Sequence, residues 1–176
     1  MTSGIQLSPC RRNSLSIFVA LLLVTLLSAC SPRQMVIGGM ADELAAQGQA
    51  SEGDLDLARE ASAFYLKLSE SVLRSDPGHR RLAESVAAGF TQYTYAFVAF
   101  EADRIEARDA KAAERLRQRA AQLYRRAHRH ALAALEKELP GFAQALRNQQ
   151  PANWPKVAPA DAGLAYWAAA AWGGWI

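Results

Sequence analysis

The sequence predicts an all-α fold built from antiparallel helical hairpins. Three observations lead there. Alanine fills 36 of the 176 positions, about a fifth of the chain, and alanine is the strongest helix former. Val, Ile and Thr together number only 16, whereas strands draw on β-branched side chains. Apolar residues recur at steps of three and four along much of the chain, which is the period of one helix face. A hydrophobic content of 51% with 21% charged residues marks a folding chain of one domain, two at most. The net charge of +3 is too small to draw nucleic acid to the surface. Two cysteines exclude a disulfide framework and a Cys-rich zinc module.

The first segment is an address. Arg11 and Arg12 precede a 15-residue apolar run from Leu15 to Ala29. Fifteen helical residues rise about 22 Å, short of the roughly 30 Å hydrocarbon core of a bilayer. This is a signal peptide rather than a membrane span. It ends in Leu27-Ser28-Ala29-Cys30, which resembles a bacterial lipobox, with Cys30 as the lipidated first residue of the mature chain. Ser31 in place of an aspartate favours the outer membrane. Cys10 leaves with the signal and Cys30 carries the lipid, so no disulfide is expected. Loss of two arginines lowers the net charge to +1. The domain reading is therefore 1–29 signal peptide, 30–52 lipidated tether, and 53–176 helical domain.

Within the tether, Pro32, Gly38, Gly39 and Gly48 interrupt the sequence, and a short helix is expected near Ala41 to Ala46. Ser51-Glu52-Gly53-Asp54 resembles a capping box. The first long helix follows, with Leu57, Ala61, Phe64, Leu68 and Val72 as its apolar stripe. Ser75-Asp76-Pro77-Gly78 ends it, and Asp76 with Pro77 offers a start for the next helix. The second stripe is Leu82, Val86, Phe90, Tyr93, Phe97 and Phe100. A polar stretch from Glu101 to Lys111 predicts a break. The third stripe is Leu116, Ala120, Leu123, Ala127, Ala131 and Ala134, widened by Tyr124, Leu135 and Leu139. Pro140-Gly141 closes that helix, and a short turn follows over Phe142 to Arg147. Pro151, Pro155 and Pro159 mark a loop. Asp161 is placed to cap a last helix, Ala162 to Trp172, that is apolar on nearly every face. Such a helix needs cover. None remains downstream, so the expectation is a C-terminally truncated chain or an oligomer interface.

Candidate chemistry is sparse. Glu101 with Asp103, and Glu136 with Glu138, stand two apart and diverge on a helix. No serine lies in a nucleophile elbow, and Gly38-Gly39 is no phosphate loop. His128 and His130 point to different sides of one helix. Neither enzyme activity, nor a metal, nor a cofactor is expected. Six arginines crowd positions 115 to 129 without one acid. Of these, Arg115, Arg119 and Arg126 are spaced to share a face and are candidates for docking an acidic partner. Otherwise they form a solvated outer face. Tyr93 and Phe97, and Tyr166, Trp167 and Trp172, are candidates for a ligand cavity or an interface, since tryptophan brings a large apolar area and one N–H donor. The plainer reading of each is core packing.

Four stretches carry a family likeness. They are Phe90-Thr91-Gln92-Tyr93 with Ala96-Phe97-Val98, Arg117-Gln118-Arg119-Ala120 with Leu123-Tyr124 and Arg126, Ala131-Leu132 to Leu135 with Pro140-Gly141-Phe142, and Ala165-Tyr166-Trp167 with Ala169 to Gly173. In order and spacing they resemble the TatT component of tetratricopeptide-associated TRAP transporters, over roughly Leu57 to Ile176. The resemblance implies a lipoprotein with a tetratricopeptide-like fold that assembles as a homotrimer. It implies a periplasmic TRAP solute-binding protein as partner and a hydrophobic ligand handed to it. Family members usually continue with further helical repeats, which adds to the expectation of a truncated C-terminus. The competing reading is a general helical scaffold lipoprotein in envelope assembly, attached to the membrane by its lipid alone.

Overall fold

A computed structural model describes residues 32–47, 52–148 and 151–176. The signal peptide, Cys30 and Ser51 lie outside the described residues. Two compact units divide the chain, residues 1–36 and 37–176. The described part of the first unit, 32–36, is helical. All regular structure among the described residues is helical, with no strand, as the composition predicts.

Helix α1 spans Pro32–Gln47, longer than the turn expected near Ala41 to Ala46. Proline is tolerated at a first helical position, and Gly38 and Gly39 cost helix stability without forbidding it. Burial of Ala41, Leu44 and Ala45 supplies what propensity lacks. Helix α2 spans Leu55–Ser75. Its cap is Asp54, whose carboxylate accepts from the N–H groups of Asp56 and Leu57 at 3.0 and 3.1 Å.

The face that α2 buries differs from the predicted stripe. Leu57 and Phe64 are exposed, at 52% and 73%. Val72 of that stripe is buried and Leu68 packs against the core, but Leu66, Ser69, Glu70 and Leu73 are buried beside them. Period alone does not tell which side of the helix meets its partners.

Helix α3 spans Arg80–Thr94. Asp76 serves as C-cap of α2 rather than opening α3. His79 opens it, its Nδ1 accepting from the Leu82 N–H at 3.1 Å. The helix then widens into a π segment, Tyr95–Ala99, and resumes as α4, Phe100–Ile105. This shifts the predicted stripe. Phe90, Thr94, Val98 and Ala102 are buried, while Phe100 is 61% exposed. Twelve residues at about 3.6 per turn overshoot three turns by about a third of a turn. The wider turn, closed by the Phe100 N–H on the Tyr95 carbonyl, absorbs that excess. Two buried hydroxyls are satisfied inside the same helix: Thr91 donates to Ala87 O at 2.8 Å and Thr94 to Phe90 O at 2.6 Å.

The break falls at 106–109, inside the polar stretch. Asp109 caps α5, Ala110–Glu138, by accepting from the Ala112 N–H at 2.8 Å. Arg117 ties the turn down by pairing with Glu106 at 2.7 Å and Asp103 at 3.4 Å. At its other end the chain reverses through Gly141, whose φ of +87° suits glycine alone at little cost. Glu136 accepts from the N–H groups of Gly141 and Ala143 at 2.6 and 2.9 Å and so fixes the entry to α6, Phe142–Leu146.

Helix α7 spans Ala162–Trp175, three residues beyond the expected end. Contrary to the expectation that nothing covers it, α7 packs against α5 and α3, burying Leu164, Ala168 and Ala171. Alanine on both α5 and α7 lets the two backbones approach closely. Glycine does the same at Gly174, where a Cβ would stand 2.6 Å from the Tyr124 ring. Asp161 precedes α7 as predicted but makes no capping bond. It is buried and faces Arg80 at 3.5 Å.

Candidate functional site

The described residues leave an apolar groove where α5, α6 and α7 meet. It has a volume of about 540 Å³ and is lined by His128 and Leu132 of α5, Phe142, Ala143 and Leu146 of α6, Arg147 after it, Trp154, and Ala165, Ala168, Ala169 and Trp172 of α7. Its origin is local. Gly141 turns α6 back beside α5, and small alanines on α7 leave space that larger residues would fill. Trp172 is 53% exposed, Trp154 46% and Leu146 41%, so large apolar surface faces water at the groove. The Trp154 N–H is already spent on the Asn148 carbonyl at 2.9 Å. His128 donates from Nδ1 to the Ala168 carbonyl at 2.9 Å, since a carbonyl only accepts.

Tyr166 and Trp167 stand apart from this groove. Their rings meet edge-on at 4.9 Å, with Trp167 against the core and Tyr166 exposed. Tyr93 and Phe97 line a second hollow of about 520 Å³ between α2 and α3, together with Tyr65, Ser85, Gly89 and Gln92. Their rings tilt against each other at 5.4 Å, and Arg59 lies 5.5 Å over Phe97. Gly89 holds the two helices close, since a Cβ there would come within 2.6 Å of Leu66. The aromatic candidates are thus divided among two hollows, the core edge at Trp167 and the surface at Tyr166.

The arginine row divides too. Arg115 and Arg119 are exposed on α5. Arg126 is turned inward. It makes a two-pronged contact with the Glu70 carboxylate of α2, one prong at 2.6 Å. His130 reaches the same carboxylate at 2.9 Å and Lys67 at 2.8 Å. The ring of Phe90 packs against both Arg126 and His130, with the Arg126 guanidinium 4.9 Å from its centre and the His130 ring stacked at 6.3 Å. Burial alone would raise the Glu70 carboxyl. Hydrogen bonds from Arg126, Lys67 and His130 outweigh it and hold the group far below the ordinary carboxylate range. Sequence reasoning missed Glu70. The available signal was an arginine cluster without local acids, which implies an acid from elsewhere in the fold.

At the far end of α7, Trp175 stacks under Arg125 at 4.6 Å and tilts against His128 at 6.2 Å. No cluster able to hold a metal occurs among the described residues, and no described helix is long and apolar enough to cross a membrane.

The fold and these hollows define a helical module with apolar recesses and a basic helix face. A sequence model of one family, the TRAP transporter T-component, matches residues 51–176. The chain belongs to that family. No curated protein matches it.

Proposed function

We propose that this chain is the periplasm-facing accessory of a TRAP-type transport system, that it binds the system's solute-binding protein, and that it passes a hydrophobic ligand held in the Trp172 groove. Family membership gives the accessory role in TRAP transport. The observation that carries the ligand part of the reading is the groove itself: a concave apolar surface with exposed tryptophans is costly in water unless it is used. The exposed Arg115 and Arg119 fit the docking of an acidic partner surface, where charge acts mainly on the rate of encounter. Attachment through lipidated Cys30, outer-membrane placement and assembly as a homotrimer belong to the same reading. They are supported by the apolar run before Cys30 and by the family likeness.

The test combines sedimentation with partner capture. The full chain in nanodiscs is expected to sediment as a trimer and to bind a periplasmic TRAP solute-binding protein from the same cell. Arg115→Glu with Arg119→Glu is expected to weaken that binding about tenfold. A monomer that captures no such partner overturns the reading and favours a general scaffold.

A further inference from the structure

The polar atoms of the Trp172 groove point to the class of ligand. The walls contributed by Leu132, Phe142, Leu146 and Trp172 offer carbon surface. The Trp154 N–H is bonded to Asn148, and the α7 backbone is committed to its own helix. Two side-chain groups remain. One is the guanidinium of Arg147, which lines the groove, is exposed, and has no ion pair or hydrogen bond among the described residues. The other is the second nitrogen of His128, since Nδ1 is taken by Ala168. Glu136, at the opposite end of α6, is bonded to the backbone of the turn. No Asp or Glu lines the groove.

We propose that the groove takes a single-chain amphipath with an anionic head, the chain lying along Leu132, Phe142 and Trp172 and the head meeting Arg147. This rests on the ligand-carrying reading above and narrows it. A permanent cation at the edge of an apolar surface favours a carboxylate or similar anion through charge-assisted hydrogen bonds. It discriminates against an alcohol of equal length and rejects an ammonium. With the proton on Nδ1, the second nitrogen of His128 is an acceptor and gives the head no donor, so Arg147 alone meets the anion. A volume of about 540 Å³ lies in the range of small-ligand sites and suits one chain rather than a two-chain phospholipid.

The experiment displaces a fluorescent alkyl carboxylate from the full chain in phosphatidylcholine nanodiscs, with empty discs as blank. Competitors are dodecanoate, dodecyl sulfate, dodecanol and dodecylammonium. The two anions are expected to compete at least about tenfold better than dodecanol, a difference typical of one charge-assisted contact. Arg147→Gln, at an exposed position and with unchanged circular dichroism, is expected to erase that difference while leaving dodecanol as it was. Equal competition by dodecanol and dodecanoate overturns the head-group inference and leaves the hydrophobic groove standing. An unaltered preference in Arg147→Gln overturns it as well. If the probe binds discs with and without protein equally, both the inference and ligand carriage by this groove fall, whereas partner capture is judged by its own assay. Preferential displacement by phosphatidylglycerol discs would replace the free amphipath by a membrane lipid and overturn the proposal.

Discussion

At the scale of single residues, Glu70 decides how α2 meets α5. A carboxylate at 5% side-chain exposure is tolerable only because its oxygens are met by donors from two helices. Removing one partner from such a group costs more than the pair itself contributes, since a charge is left buried without its match. Arg126→Met should therefore lower unfolding free energy by about 3 kcal/mol, read as a shift in the urea midpoint. Adding Glu70→Leu should restore part of it, because the stranded charge is gone. The acid dependence follows from the same contacts. Glu70 has its folded value lowered from 4.5, so in acid the unfolded chain binds the proton more readily. Its contribution is present above pH 4.5 and is lost as pH falls toward the folded value. Stability measured between pH 6 and 3 should drop less steeply in Glu70→Gln than in the native chain.

At the scale of elements, the π segment Tyr95–Ala99 sets which aromatics reach the core and which line the hollow beside α2. Ala96 is exposed and Phe97 half-buried there. Deleting Ala96 removes the extra residue, so Val98 and Ala102 fall at regular α-helical spacing after Thr94. The variant should stay folded, with Val98 and Ala102 still buried and the π turn replaced by α-helix. Amide hydrogen exchange over 94–102 would read this. Loss of the whole helix would show that the wide turn is needed for packing and not only accommodated by it. The capping bonds were partly legible beforehand. Asp54 lies in the four-residue stretch read as a box, but the carboxylate that caps is its own. Asp161 stands where a cap was read, yet its carboxylate turns to Arg80, because a long cation from another helix competes for it.

At the scale of the whole molecule, one cluster of buried side chains gathers residues of α1, α2, α3, α5, α6 and α7. The last helix is a full member of it. Leu164 is fully buried, and Leu164→Ala should cost about 3 kcal/mol, within the range for a buried leucine. A denaturation midpoint equal to that of the native chain would show that α7 contributes nothing to the cooperative core. The apolar surface that remains exposed at the groove comes from Trp172 of α7, Leu146 of α6 and Trp154 between them.

The sequence by itself determined the helical class, the break between α4 and α5, the reversal at Pro140-Gly141 and the family likeness, because these rest on local signals: alanine content, period, proline and glycine. It also named Tyr93, Phe97, Tyr166, Trp167 and Trp172 as candidates for a ligand cavity or an interface, and of these Tyr93, Phe97 and Trp172 line hollows. Tertiary structure alone decided which face of α2 is buried, how α7 is covered, and that Arg126 belongs to Glu70 while Arg115 and Arg119 face outward. Each of those depends on which helix lies opposite, and periodicity describes a face without saying what meets it.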